Sequence, residues 1–182
     1  FDICMLNDFN GVSNIDKLTE AYKSIYVVAW SMGVWAAGKA ISSSVEIKIA
    51  IAINGTQKPM DDNFGIPTAI FKHTLETWNE TNRNKFNMRI LGGRANLEKL
   101  ESVLPIRSIE NQQAELQYIQ ESIEKEETKE IQFDTVLIGN QDLIFSPVNQ
   151  QNYWQGKRKM VLLEMPHYPF AGFKSWNEII NM

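Results

Sequence analysis

Apolar residues fall along this chain in two rhythms, and the change between them marks its organisation. Short runs dense in β-branched and aromatic residues occur at Ser24–Trp30, Val45–Ile53, Phe133–Gly139 and Met160–Met165. Apolar character that continues without alternation belongs to strands covered on both faces, as in a parallel sheet. A further run, Ile3–Leu6, reads as a strand closed by the turn-forming cluster Asn7-Asp8-Phe9-Asn10-Gly11. Between the strands the spacing changes. Ile15, Leu18 and Tyr22 recur at helical intervals behind a candidate N-cap, Asn14, and Met32–Ile41 carries small helix-compatible residues such as Ala36, Ala37 and Ala40. Strand, helix, strand, with apolar strands throughout, predicts a parallel α/β architecture.

The middle third obeys the other rhythm. Residues 67–131 are largely polar and helix-compatible, with apolar positions three and four apart: Leu97, Leu100 and Leu104 in one set, Leu116, Ile119 and Ile123 in another. The expectation is one domain over residues 1–182, with 67–131 as a helical insertion between parallel strands. Within it, Gly92-Gly93 reads as a turn, and the charged run Glu121–Glu130 as a solvated helix face.

Composition narrows the classes. The 182 residues are 43% hydrophobic and 22% charged, which excludes disordered, collagen-like and disulfide-scaffold chains. A net charge of −4 argues against nucleic acid as a partner. The strongest apolar stretch, Ile47–Ile53, is interrupted by Lys48 and falls far short of the roughly 20 residues of a membrane helix. A single cysteine, Cys4, closes no intramolecular disulfide and fits a reducing compartment, so a cytoplasmic location is expected. Phe1 opens directly into an apolar run, with no charged-then-apolar leader, and the chain is therefore expected to lack its natural beginning.

Candidate chemistry sits at the first strand-to-helix junction. Ala29-Trp30-Ser31-Met32-Gly33 stands between a predicted buried strand and a predicted helix, the context of a G-x-S-x-G nucleophile elbow. Small residues two before and two after the serine let the chain turn sharply without striking its neighbours. A serine hydroxyl also needs a base. The chain has two histidines, His73 and His167; only His167 follows a strand late in the sequence, in the order Ser, acid, His of an α/β-hydrolase. Asp142, just after the strand ending at Gly139, is the preferred acid, with Asp61 and Asp62 as alternatives. Gly33–Ala40 nearly spells a phosphate-binding loop, but Ala40 offers no hydroxyl for Mg²⁺ and the intervening residues suit a buried helix. No metal site and no cofactor are expected.

Several strings, Val28-Ala29-Trp30-Ser31-Met32-Gly33-Val34-Trp35, Ile53-Asn54-Gly55-Thr56, Gly65-Ile66-Pro67 and His167-Tyr168-Pro169-Phe170, resemble the BioG family of pimeloyl-ACP methyl ester esterases along nearly the whole chain. The resemblance implies an α/β-hydrolase that demethylates pimeloyl-ACP methyl ester in biotin synthesis, with Ser31 as nucleophile, His167 as base then acid, and Asp142 as orienting acid. It implies that Trp30 borders the acyl pocket and that the insertion 67–131 is a small helical cap where an acyl carrier protein docks. Lys72–Arg107 holds seven basic residues against four acids, and Arg83, Arg89 and Arg94 are the candidate docking residues. The backbone N–H of Met32 would supply one oxyanion-hole donor. Family members carry the other on a glycine-containing loop after an upstream strand, and both are expected to lie outside this sequence. Two other functions fit the same residues: a short-chain carboxylesterase with no carrier partner, and a non-catalytic hydrolase-like binding protein.

Overall fold

A computed structural model describes residues 2–104, 106–125 and 129–182. Four strands, β1 (Ile25–Trp30), β2 (Ile47–Ile53), β3 (Thr135–Gly139) and β4 (Lys159–Leu163), form one parallel sheet in the order β1-β2-β3-β4. Each strand hands over to helix before the next begins: α2 (Gly33–Ala40) after β1, α7 (Pro147–Trp154) after β3, and α8 (Trp176–Ile180) after β4. Asp134 extends the β2–β3 ladder by one residue beyond β3. Its N–H donates to Ala50 O and its Oδ2 accepts from Ala50 N–H.

The two faces of the sheet are filled differently. Val27, Ala29, Ala50, Ala52, Val136 and Ile138 form one face, against Val34 and Ala37 of α2 and the aromatic pair Tyr153 and Trp154 of α7. Alanines at Ala29, Ala50 and Ala52 let α2 lie close, while Trp154 fills the wider space beside Phe133. Val28, Trp30, Ile51, Ile53, Leu137 and Val161 form the other face, against Ile179 of α8. Full burial of an Ile or Leu side chain contributes roughly 1.5–3 kcal/mol, so the central strands carry much of the fold's stability.

Between β2 and β3 lie four helices: α3 (Thr68–Glu76), α4 (Glu80–Ile90), α5 (Arg94–Leu100) and α6 (Ile109–Lys125), with a short 3₁₀ turn at Glu101–Val103. Phe71 and Ile119 from this group pack with Trp35 and Ala36 on the outer side of α2 and with Phe145 beyond β3. Leu116 and Ile123 join that cluster, as their spacing predicted. α4 ends in paired bonds from Gly92 N–H to Arg89 O and from Gly93 N–H to Met88 O, with both glycines at positive φ (78° and 127°). That closure is the predicted Gly-Gly turn. Gly33 is already helical and Gly38 lies buried within α2, so the near phosphate-loop string is a core helix. In the charged run, Lys125 pairs with Glu121 across one helical turn. Residues 126–128 of the run lie outside the described residues.

Two expectations are corrected. Ile3–Leu6 forms no strand; Ile3, Met5 and Leu6 are exposed. The turn that follows is held elsewhere, because Phe9 N–H donates to Glu115 of α6, the Asn10 amide to Asn111 O, and Asp8 pairs with Arg107. The first helix is a single turn, α1 (Asp16–Thr19), with Ile15 at the N-cap position. Asn14 Oδ1 accepts from Asp16 N–H one residue early, and Leu18 and Tyr22 face solvent. β1 lies at the edge of the sheet among the described residues and is covered on both faces as expected, by Val27 and Ala29 in one cluster and Val28 and Trp30 in the other, with Tyr26 left exposed. No helix among the described residues is long and apolar enough to cross a membrane.

Candidate active site

The C-terminal ends of the parallel strands converge on one place. Ser31 directly follows β1 at φ 58°, a left-handed conformation that costs an L-residue roughly 1–2 kcal/mol. The surroundings hold it there. Ser31 N–H donates to Ile53 O (3.0 Å), continuing the β1–β2 ladder, and Ser31 O accepts from Val34 N–H (3.1 Å), starting α2. The turn also depends on Gly55. A Cβ at that position would stand 2.4 Å from Ser31 O and 3.0 Å from a Val34 methyl. Gly55→Ala must therefore push the elbow away from β2; a loss of about 1–3 kcal/mol is expected by thermal denaturation, together with reduced turnover.

His167 stands on the loop after β4 and is 1% exposed. Its Nε2 lies 2.9 Å from Ser31 Oγ and its Nδ1 lies 2.9 Å from Asp142 Oδ2. Asp142, 4% exposed, is held by a full set of donors. Oδ1 accepts from the N–H groups of Ile144 (2.8 Å) and Phe145 (2.9 Å), and Oδ2 accepts from Gln150 Nε2 (3.1 Å) as well as facing His167. The backbone and amide neighbours are obligate donors, which suits an acceptor-only carboxylate. His167 Nδ1 therefore carries the hydrogen, and Nε2 is left to accept from the Ser31 hydroxyl. The imidazole is clamped between Phe145, stacked at 6.1 Å and 6°, and Trp30, tilted at 5.2 Å.

The loops are tied together behind this chain of bonds. Trp30 Nε1 donates to His167 O (2.7 Å), and its ring meets Tyr168 and Phe170 edge-on. Asn54, fully buried at φ 48°, donates from Nδ2 to Pro166 O (3.0 Å) and His167 O (2.9 Å), and accepts at Oδ1 from Gly139 N–H (2.7 Å). The inserted helices rest on the same loop: Tyr168 N–H donates to Ile90 O (2.9 Å), and Gly92 comes so near Pro166 that a Cβ would stand 2.9 Å from the proline ring. Burial raises the Tyr168 phenol above its ordinary pKa, so it stays a neutral hydroxyl there.

Of the residues singled out in the sequence, Ser31, Asp142 and His167 are brought together and the alternatives are not. His73 is exposed on α3. Asp61 caps the turn at Asn63 and Phe64, and Asp62 accepts from Thr68 N–H at the start of α3. No described residue accepts from the Met32 N–H beside the serine. Arg89 and Arg94 are exposed, whereas Arg83 donates to Arg107 O (3.1 Å) and sits near Glu80. Asn54, Phe145 and Gln150 were not picked out as site residues. Asn54 stood in view at a strand end before Gly55. Gln150 gave no local signal beyond Ser146-Pro147, a helix start that would have placed it on the helix after the acid loop.

Residues 1–179 match the family profile described as "Pimeloyl-ACP methyl esterase BioG". The chain is 36% identical over 179 residues to an uncharacterized protein of Haemophilus influenzae, covering 98% of this chain and 82% of that protein. It is 37% identical over 155 residues to a malonyl-[acyl-carrier protein] O-methyltransferase of Bacteroides fragilis. That match covers 85% of this chain but only 32% of the longer protein. Among solved structures, the crystal structure of BioG from Haemophilus influenzae superposes with a TM-score of 0.88 at 36% identity, over 95% of this chain and 80% of that one.

Proposed function

The chain belongs to the BioG family of pimeloyl-ACP methyl esterases, and we propose that Ser31, His167 and Asp142 are the groups that carry its ester hydrolysis. The observation that carries this reading is the unbroken line of bonds from Ser31 Oγ through His167 to Asp142, 2.9 Å at each step, starting from a serine at φ 58°. The fold in this reading is an α/β-hydrolase of one domain, residues 1–182, with 67–131 as a helical cap.

Ser31 Oγ attacks the carbonyl carbon of the terminal methyl ester while His167 Nε2 takes its proton. The charge that develops on the carbonyl oxygen is met by the N–H of Met32. The tetrahedral intermediate collapses, and methanol leaves with the proton that His167 returns. Water then attacks the acyl-serine as His167 again accepts a proton; the free carboxylate departs and Ser31 regains its hydrogen. Asp142 holds the imidazole in the required tautomer and stabilises its charged form. No step calls for a metal or a redox cofactor. Trp30 flanks the imidazole and borders the acyl chain.

The partner in this reading is an acyl carrier protein bearing the methyl ester, and the matched methyltransferase is named for acting on a carrier-linked acyl group. Arg83, Arg89 and Arg94, on and beside α4, form the docking face for an acidic carrier. Of these, Arg89 and Arg94 make no ion pair among the described residues and are free to meet a partner's carboxylates. The double reversal Arg89→Glu/Arg94→Glu is expected to lower kcat/KM on the carrier-linked ester by about tenfold or more at low salt, the loss shrinking as salt screens the encounter.

The test of substrate class is a side-by-side assay of pimeloyl-ACP methyl ester and a short free methyl ester. Faster turnover of the carrier-linked substrate supports this reading, and hydrolysis of the free ester alone replaces it with a general carboxylesterase. A serine-directed phosphonate that leaves Ser31 unlabelled would point instead to a non-catalytic binding protein.

A further inference from the structure

Asn54 joins the loop that carries His167 to the end of β3 and stands next to the residue that receives the Ser31 N–H. It directly follows β2, the strand between the one that delivers Ser31 and the one that leads to Asp142. The carbonyl before it, Ile53 O, receives Ser31 N–H, and its own N–H donates to Leu137 O in β3. Its side-chain oxygen takes the N–H of Gly139, the last residue of β3. Its side-chain nitrogen donates to Pro166 O and His167 O. Four groups, two from β3 and two from the loop after β4, thus end on one buried residue, and the residue before it receives the Ser31 N–H.

The arrangement is specific to an amide. The Gly139 N–H needs an acceptor, and the two carbonyls need donors; only a side chain with both, one atom from each other, answers them at once. The backbone selects for the same residue. A position at φ 48° favours Gly or Asn, and of these only Asn brings the bonds. Gly139 lies so close to the histidine loop that a Cβ on it would stand 2.5 Å from Met165 O. The acid loop and the base loop therefore approach without side-chain padding; backbone bonds from Asn140 N–H to Leu163 O and from Gln141 N–H to Met165 O join them up to Met165, and the Asn54 amide is the tie that reaches Pro166 and His167.

We propose that Asn54 is a positioning residue for the hydrolysis, setting the height of His167 over Ser31 by holding its loop to the end of β3. This rests on the esterase reading of Ser31, His167 and Asp142 and adds a residue to it. Trp30 holds the same His167 carbonyl, so that carbonyl has two donors, but Trp30 reaches neither Pro166 O nor Gly139 N–H. Without the amide, His167 keeps its partners while their alignment loosens. Misplacement of a catalytic group on this scale lowers rate by about 10²-fold.

The experiment compares wild type with Asn54→Gly, which keeps the left-handed backbone without strain, and Asn54→Asp, which keeps the shape but sets a carboxylate against two carbonyls. The expected result is kcat on pimeloyl-ACP methyl ester about 10²-fold lower in both, with KM within about twofold and the far-ultraviolet dichroism of the wild type. In parallel, the low-field proton resonance of the His167–Asp142 bond should be present in wild type and broadened or lost in Asn54→Gly. Wild-type kcat in Asn54→Gly, a loss borne by KM alone, or two variants that cannot fold would each overturn the assignment. Should the wild type leave the methyl ester intact, the esterase reading fails. The proton resonance then decides the role of Asn54, and an unchanged resonance in Asn54→Gly rejects it.

Discussion

Ser31→Ala will remove turnover of the carrier-linked methyl ester, by on the order of 10⁶ in kcat, while leaving a folded chain. The substitution deletes the oxygen that the proposed mechanism uses to attack. Alanine keeps the Cβ, so the strain of φ 58° is neither relieved nor increased, and the ladder bond from residue 31 N–H to Ile53 O is a backbone bond that the change does not touch. The hydroxyl's bond to His167 is lost, and its contribution to stability is about 1 kcal/mol. Thermal denaturation of the two proteins beside an ester assay separates loss of chemistry from loss of fold. A variant that turns over at the wild-type rate would move the nucleophile elsewhere.

Asp142→Asn carries the second largest effect. An amide has one acceptor oxygen where the carboxylate has two. If that oxygen keeps the Ile144 and Phe145 N–H groups, the new NH₂ is turned toward Gln150 Nε2 and His167 Nδ1, a donor against donors. The imidazole resolves this by carrying its hydrogen on Nε2, and it then presents an N–H to Ser31 in place of a lone pair. A base in the wrong tautomer lowers kcat by about 10⁴, the loss measured for the equivalent change in a serine protease. KM should hardly move, because no substrate contact has changed. The stacked Phe145 and the tilted Trp30 still hold the ring in place, so the fold survives. Single-turnover acylation will slow by the same factor if the assignment of Asp142 is right; acylation at the wild-type rate would reassign the acid.

Much of this site was legible in the sequence because its signals are local. An elbow needs a strand, a small residue, a serine, a small residue and a helix within a few positions, and Ala29-Trp30-Ser31-Met32-Gly33 supplies them. With two histidines in the chain, the choice of base was short. The strand ends that carry Asp142 and His167 were equally visible as apolar runs that stop. What stayed hidden depends on partners distant in sequence. Ile3–Leu6 has strand composition, but a strand also requires a neighbour, and the turn after it is bonded to α6. Leu18 and Tyr22 had helical spacing with nothing to pack against, so α1 stops after one turn. Gln150 and Asn54 are polar residues whose worth lies in bonds across eight and more than eighty positions, and no local pattern marks such a residue. The same holds for the seat of the inserted helices on the His167 loop through Ile90 and Gly92, a contact between segments far apart in the chain.

The account rests most directly on one conversion: pimeloyl-ACP methyl ester incubated with the chain and analysed by mass spectrometry of the carrier-linked acyl group. The prediction is loss of the methyl group with release of methanol, giving free pimeloyl-ACP, and no such loss with Ser31→Ala. Recovery of the intact methyl ester from the folded wild-type chain, under conditions where a phosphonate labels Ser31, would contradict it.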